Sequence, residues 1–96
     1  MSCYFIAQIT IHDYQKYKLY EEGFDGIINN YDGKVIVVDD RATLLEGDWQ
    51  HKRMVVIRFS DEAEAQRWYH SPEYQALAKY RKQASVADIV LVKGRE

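Results

Sequence analysis

A short stretch before a predicted strand contains residue types that could hold a small polar ligand. Asp48 and Trp49 lie in this stretch, and Arg53 opens the strand that follows. Pockets for small molecules combine apolar walls with a few polar groups, and loops often carry such groups. The sequence therefore predicts a pocket mouth at these three residues. The alternative is a structural turn in which Asp48 pairs with Arg53 and Trp49 packs over the sheet edge.

A second group of candidate ligand-binding residues surrounds a predicted break between two helical segments. It consists of Trp68, Tyr69, Tyr74 and Arg81. Trp68 and Tyr74 could equally be core residues, because large aromatic side chains dominate protein interiors. Arg81 shares a helix face with Tyr74, where a charge needs a partner such as Asp48 or Glu46. Arg81 is thus predicted to anchor an ion pair, with anion binding as the alternative.

The three histidines offer a general base more readily than a metal site. Zinc sites need three or four ligands in tight geometry, and His12, His51 and His70 have no second ligand at a suitable spacing. We therefore predict no metal. Histidine titrates near neutral pH, so His70, which follows Tyr69 at the helix break, is a candidate catalytic base, as is Asp48.

Other motifs of catalysis or cofactor binding are missing from the chain. It contains no glycine-rich phosphate loop and no cysteine cluster, so no cofactor is predicted. Cys3 is the only cysteine, which excludes an intrachain disulfide and suits a reducing cytoplasm. We place Cys3 at the start of an edge strand and predict an unreactive thiol, because nothing nearby would stabilise a thiolate.

Composition and charge exclude several classes of partner. The 96 residues suffice for one domain, spanning 1–96. The net charge is −2, whereas nucleic-acid-binding domains normally carry a basic face, so no nucleic-acid partner is predicted. No apolar run has the length of a membrane span, and no signal-peptide pattern opens the chain. We therefore expect a soluble cytoplasmic protein with no membrane partner.

A small set of strands and helices must position the candidate residues. Alternating patterns predict strands over residues 4–11, 34–38, 53–59 and 87–92. Helical spacing predicts a helix over 14–30, capped by Asp13, and a helical region that starts after Ser60-Asp61 and restarts at Ser71-Pro72. Residues 42–46 are expected to extend the strand ribbon. The order is β-α-β-β-α-β, which predicts an α+β, ferredoxin-like fold with both helical regions on one face of a four-stranded antiparallel sheet.

Both faces of the predicted sheet are apolar, although the helices can cover only one. In the first strand one face carries Phe5, Ala7, Ile9 and Ile11, and the other carries Tyr4, Ile6, Gln8 and Thr10. A bare apolar sheet face is a contact surface, and a second copy related by a two-fold axis would cover it. We therefore predict a homodimer through the open sheet face.

Three segments of the chain together resemble a bacterial family. They are Leu45-Glu46-Gly47-Asp48-Trp49, the strand Arg53-Met54-Val55-Val56-Ile57 ending at Phe59, and Trp68-Tyr69-His70-Ser71-Pro72-Glu73-Tyr74-Gln75 with Arg81 beyond. Their order and spacing resemble the family catalogued as domain of unknown function 1330. The resemblance implies a dimeric α+β barrel, a fold shared with monooxygenases that use neither metal nor flavin, with muconolactone-isomerase-like enzymes and with stress-related ligand binders. If that family's packing applies here, Asp48, Trp49 and Arg81 would meet in space.

Functions from different classes fit these observations. The first is binding of a small hydrophobic or aromatic acid-like ligand in a cavity between sheet and helices. The alternative is a cofactor-independent monooxygenase or isomerase, in which Asp48 or His70 would take a proton and Arg53 or Arg81 would hold the resulting anion. A third hypothesis is an accessory protein that acts through its dimer surface.

Overall fold

The computed structural model describes all 96 residues, Met1–Glu96. Its elements, in chain order, are β1 (Cys3–Ile11), α1 (Tyr14–Ile28), β2 (Gly33–Asp39), β3 (Arg53–Phe59), α2 (Glu62–Tyr69), α3 (Pro72–Ala84) and β4 (Ser85–Lys93). The predicted β-α-β-β-α-β order is confirmed, with the second helical region divided at Ser71-Pro72. None of the three helices has the length and hydropathy needed to cross a lipid bilayer.

The four strands form one antiparallel sheet in the order β2-β3-β1-β4. The two central strands pair with Phe5 opposite Ile57, and β1 pairs with β4 with Phe5 opposite Leu91. This arrangement confirms the predicted α+β, ferredoxin-like fold. The prediction that Cys3 opens an edge strand is wrong, because β1 is central and the thiol is buried. Burial raises the pKa of Cys3, which agrees with an unreactive thiol.

The helices cover one face of the sheet, and Trp68 lies at the centre of the packing. The Trp68 side chain is fully buried. Its ring is 4.1 Å from that of Tyr74, 5.2 Å from that of Phe5 and 5.3 Å from that of Phe59, measured between centroids. Trp68 and Tyr74 are therefore core residues that join α2 and α3 to the two central strands. Truncating a side chain of this kind to alanine typically costs about 3–5 kcal/mol.

Local capping explains where the helices begin. Asp13 accepts a hydrogen bond from the backbone N–H of Lys16 at 3.1 Å, and Ser71 accepts one from that of Tyr74 at 3.2 Å. Pro72 occupies the first turn of α3, where its missing N–H has no partner to lose. These predicted caps are confirmed.

Asp61 and Glu64 have the spacing of a capping box, and at α2 only half of this box is formed. Asp61 accepts from the backbone N–H of Glu64 at 2.8 Å. Instead of returning to Asp61, the Glu64 carboxylate accepts from the backbone N–H of Asp32 at 2.9 Å and pairs with Arg67. Glu64 therefore ties α2 to the turn before β2.

A β-bulge in β2 decides which of its residues face the helices. Val35 lies opposite Ile57, whereas Val37 lies opposite Val56, so Ile36 is an extra residue without a partner. Side chains alternate along a regular strand, and one inserted residue reverses that alternation beyond it. Val38 consequently faces the helices together with Val35.

Two element boundaries differ from the sequence prediction. Helix α1 ends at Ile28, and the next residues form a turn rather than a last helical turn to Asn30. Residues 42–46 form no strand, so the expected extension of the ribbon is wrong. Residues 40–52 are instead a loop between β2 and β3, and the segment 42–50 is exposed throughout.

The other face of the sheet has no helix on it. Tyr4, Ile6 and Gln8 of β1 point to this open face, as the predicted alternation requires, and their side chains are only partly buried. On this face the outer strand β4 carries three exposed apolar residues, Val86, Val90 and Val92, which are 59%, 54% and 40% exposed.

Candidate functional site

A cavity of about 240 Å³ lies between the covered face of the sheet and helix α1. Eleven of its fifteen lining residues are hydrophobic; they include Ala7 and Ile9 of β1, Val55 and Ile57 of β3, and Tyr20 and Phe24 of α1. The polar side chains at the cavity are Glu21, Asp25, Arg53 and Arg81. Apolar walls with a few charged groups are the usual composition of a small-molecule site.

Helix α1 approaches α3 closely because Gly23 carries no side chain at the contact. A Cβ placed at Gly23 would stand 2.7 Å from Cδ1 of Leu77. This close packing brings the hydroxyl oxygen of Tyr20 within 2.8 Å of that of Tyr74. The tyrosine pair thus links the two helices at the wall of the cavity.

Both hydroxyls of the tyrosine pair remain protonated near neutral pH. Burial raises the pKa of Tyr20 well above its ordinary value. Burial also raises the pKa of Tyr74, although the positive charge of Arg81 opposes this effect. Only one of the two hydroxyl hydrogens is used in the bond between them, because a hydroxyl has one donor.

Arg81 is the buried cation of the cavity. It is 5% exposed, and its guanidinium carbon lies 5.8 Å from the centroid of the Tyr20 ring. Its Nε has no hydrogen-bond partner. No carboxylate forms an ion pair with it, so the predicted pairing with Asp48 or Glu46 is wrong. Both acids lie in the exposed loop after β2, whereas α3 holds Arg81 in the interior.

Arg53 also lines the cavity and is held by two acids. Its Nε and Nη2 donate to Asp40 at 2.7 and 3.1 Å, and its Nη1 donates to Glu21 at 3.0 Å. The hydrogen bonds with Arg53 lower the pKa of Asp40, and those with Asp40 raise the pKa of Arg53. The alternative pairing of Asp48 with Arg53 is therefore wrong. Arg53 joins β3 to α1 and to the end of β2.

The predicted site residues are distributed over four places. Arg53 and Arg81 line the cavity, whereas Trp68 and Tyr74 belong to the core behind it. Asp48 and Trp49 lie in the exposed loop and do not line the cavity, so the expected meeting of Asp48, Trp49 and Arg81 does not occur.

Tyr69 and His70 line a second, smaller cavity of about 190 Å³ beside β4. His70 Nε2 lies 2.9 Å from Oε1 of Gln66, and the Tyr69 ring packs edge-on against the imidazole. Neither candidate base, Asp48 nor His70, lines the larger cavity.

Two groups of residues were missed by the sequence analysis. Helix α1 supplies Tyr17, Tyr20 and Phe24 to the cavity wall, and their helical spacing was visible but indicated only a buried stripe. His51 is buried, with Nδ1 2.8 Å from Thr10 Oγ1 and Nε2 2.8 Å from Asp88 Oδ2. No sequence signal indicated this contact, because the three residues come from a loop and two strands.

Solved structures with the same fold include proteins of known and unknown function. A protein of unknown function from Rhodopseudomonas palustris matches with a TM-score of 0.80 at 15% identity, covering 99% of this chain and 83% of that one. SnoaB, a cofactor-independent oxygenase from Streptomyces nogalater, matches with a TM-score of 0.68 at 16% identity, covering 99% and 94%. A dimeric ferredoxin-like protein of unknown function from Jannaschia sp. CCS1 matches with a TM-score of 0.74 at 10% identity, covering 98% and 100%.

These identities are low, so the likeness to the solved structures concerns the fold. No curated protein shows a significant match to the sequence. The family model described as "Domain of unknown function (DUF1330)" matches residues 2–95. The chain therefore belongs to the DUF1330 family.

Proposed function

We propose that this protein binds a small hydrophobic or aromatic acid in the cavity between sheet and helices. The observation that carries the proposal is a largely apolar cavity of about 240 Å³ with two arginines in its lining. An engineered cavity of about 150 Å³ with apolar walls is known to take up benzene. The present volume therefore suits one substituted aromatic ring.

Blocking the cavity tests this function. Val38 lines the cavity and is also partly exposed, so Val38→Trp would fill the mouth with little effect on the core. Leu19→Trp is the matched control, because Leu19 is an exposed residue of α1 outside the cavity. Calorimetric titration with benzoate should show at least about tenfold weaker binding for Val38→Trp and parent affinity for the control. Equal binding by both variants would place the ligand elsewhere.

A second candidate function is catalysis without a cofactor, and the fold of SnoaB favours it. In this proposal the substrate occupies the same cavity, where Arg81 would hold an anion formed from an enol or phenol. Asp48 and His70 are not at this cavity, so the proton would have to pass to solvent water or to Glu21 or Asp25, the carboxylates of the cavity lining. Oxygen uptake with phenolic substrates measures the activity. Turnover at the uncatalysed level for every substrate would exclude it.

We also propose that two copies pair through the open sheet face. The exposed valines of β4 support this, as does the dimeric state of the similar protein from Jannaschia. Native mass spectrometry of the gently purified protein reads subunit number and any retained ligand together. Val90→Glu on the open face should yield monomers, whereas Leu19→Glu on α1 should not. A parent protein that is monomeric at micromolar concentration would exclude the dimer and, with it, an accessory role of the dimer surface.

The cytoplasm is the compartment we propose, because the single cysteine is a buried free thiol that forms no disulfide within the chain.

A further inference from the structure

We propose that the ligand is a singly charged acid whose anionic group binds Arg81 at the inner end of the cavity, with its apolar part toward Arg53. This inference rests on the proposed binding function and specifies the chemical class and the orientation of the ligand. It distinguishes between two arginines that line the same cavity.

Arg81 has the unused binding capacity. Arg81 is only 5% exposed, and no carboxylate pairs with it. A buried charge without a counter-ion is strongly unfavourable, and a bound anion would remove that penalty. The Nε–H has no partner within the protein and belongs to a residue that lines the cavity. A ligand anion in the cavity would therefore give the Arg81 guanidinium the counter-charge that no protein carboxylate supplies.

Tyr20 provides a second donor beside Arg81. The pair with Tyr74 uses one hydroxyl hydrogen, and Tyr20 is the member that lines the cavity. When Tyr74 donates to Tyr20, the Tyr20 hydrogen is free to point into the cavity. One N–H and one O–H donor match the two oxygens of a single carboxylate, or the one oxygen of a phenolate.

Arg53 does not have comparable capacity. Three of its nitrogens already donate to Asp40 and Glu21. Two of its five N–H donors remain, but a ligand carboxylate that accepted from them would lie beside both acids. The positive charge of Arg53 is thus already matched by protein carboxylates at the outer part of the cavity.

The acids around Arg53 determine how many charges the ligand can carry. Glu21 and Asp25 line the cavity, and Asp40 binds Arg53, which also lines it. Three carboxylates and only one cation therefore lie around this part of the cavity. A second negative group on the ligand, directed away from Arg81, would meet this acidic surface. Like charges at such distances repel. We therefore expect monocarboxylates and phenolates to bind, and dicarboxylates and phosphate esters to be rejected.

Three aromatic compounds of similar size test the inference: benzoate, its neutral isostere benzamide, and the dianion phthalate. Calorimetric titration of the parent should show benzoate binding about 10- to 100-fold more tightly than benzamide, as a charge-assisted hydrogen bond implies. Phthalate should bind at least as weakly as benzamide. Arg81→Met should bring the benzoate-to-benzamide ratio close to one, whereas Arg53→Met should keep a clear preference for benzoate.

The outcomes separate the two proposals. Equal binding of benzoate and benzamide by the parent overturns the inference and leaves the binding function standing. Loss of the benzoate preference in Arg53→Met but not in Arg81→Met also overturns it. If no compound binds, the binding function itself fails and the inference fails with it. Should Arg81→Met not fold, Arg81→Gln removes the charge but keeps a polar side chain, and an unchanged ratio in that variant overturns the inference.

Discussion

The hydroxyl oxygens of Tyr20 and Tyr74 lie 2.8 Å apart in the interior, and they join helix α1 to helix α3 beside the Arg81 guanidinium. This contact holds together the two helices that form the wall of the cavity. Because Tyr74 is completely buried and does not line the cavity, its hydroxyl has no water as an alternative partner. The stability of the fold and the shape of the cavity are therefore coupled at this pair.

Removing both members of the tyrosine pair should cost less than the sum of the two single removals. Tyr20→Phe leaves the Tyr74 hydroxyl buried without its partner, which should lower the free energy of unfolding by about 1–3 kcal/mol. The double variant Tyr20→Phe, Tyr74→Phe leaves no orphaned hydroxyl and should be more stable than the sum of the single effects predicts. Urea unfolding of all four proteins measures the coupling. Strictly additive effects would show that the pair contributes no interaction energy.

The ion pair between Asp40 and Arg53 should make stability depend on pH in the acid range. Arg53 lowers the pKa of Asp40 in the folded state, so the contribution is fully present above the unfolded pKa of an aspartate. It is lost as the pH falls through the folded pKa. Asp40→Asn should therefore destabilise the protein by about 0.5 kcal/mol at pH 7, since the pair is partly exposed, and the difference should vanish at low pH.

Unfolding curves of the parent and Asp40→Asn at several pH values between neutral and strongly acid measure this dependence. Asp48→Asn is the matched control, because Asp48 forms no ion pair. A difference between parent and Asp40→Asn that stays constant over the whole range would contradict the prediction.

The two glycines of helix α1 should respond differently to alanine. No atom lies within 4 Å of a Cβ at Gly26, so Gly26→Ala should stabilise the helix by about 0.5–1 kcal/mol. A Cβ at Gly23 would stand 2.7 Å from Leu77 Cδ1, so Gly23→Ala should gain less or destabilise, because Leu77 must move. Thermal unfolding of both variants checks this order. Adding Leu77→Ala to Gly23→Ala should remove the steric clash. An equal gain in stability from Gly26→Ala and Gly23→Ala would refute the predicted order.

His51 should restrain the loop between β2 and β3. It is fixed by Thr10 and Asp88, whereas no hydrogen bond is formed by residues 42–50. His51→Phe keeps a ring at this position but loses both hydrogen bonds. Trypsin should therefore cleave after Arg41 several-fold faster, while the global fold stays unchanged. Opening of such segments is a local event that proteolysis detects. Thr10→Val, which removes one of the two contacts, should give an intermediate rate. Cleavage at the parent rate in both variants would mean that the histidine does not hold the loop.

Local features of the sequence determined most of the fold. Asp13 and Ser71-Pro72 mark helix starts because a cap depends on residues within one turn, and alternation in β1 marks its two faces because side chains alternate along any strand. Alternation did not indicate which face of the sheet the helices cover, because both faces are apolar. The resemblance that includes the segment from Trp68 to Gln75 indicated the DUF1330 family, and the family match over residues 2–95 confirms it.

Only the tertiary structure decided the partners of the two arginines. The sequence suggested Asp48 for each, since Asp48 is near Arg53 along the chain and Arg81 needed an acid. The bulge at Ile36 reverses the alternation of β2 and so turns Val38 toward the cavity. The reversed alternation continues to Asp40, which binds Arg53. Arg81 enters the interior on α3, away from every carboxylate. Such pairings depend on which elements cross and at what distance, and no local pattern encodes either.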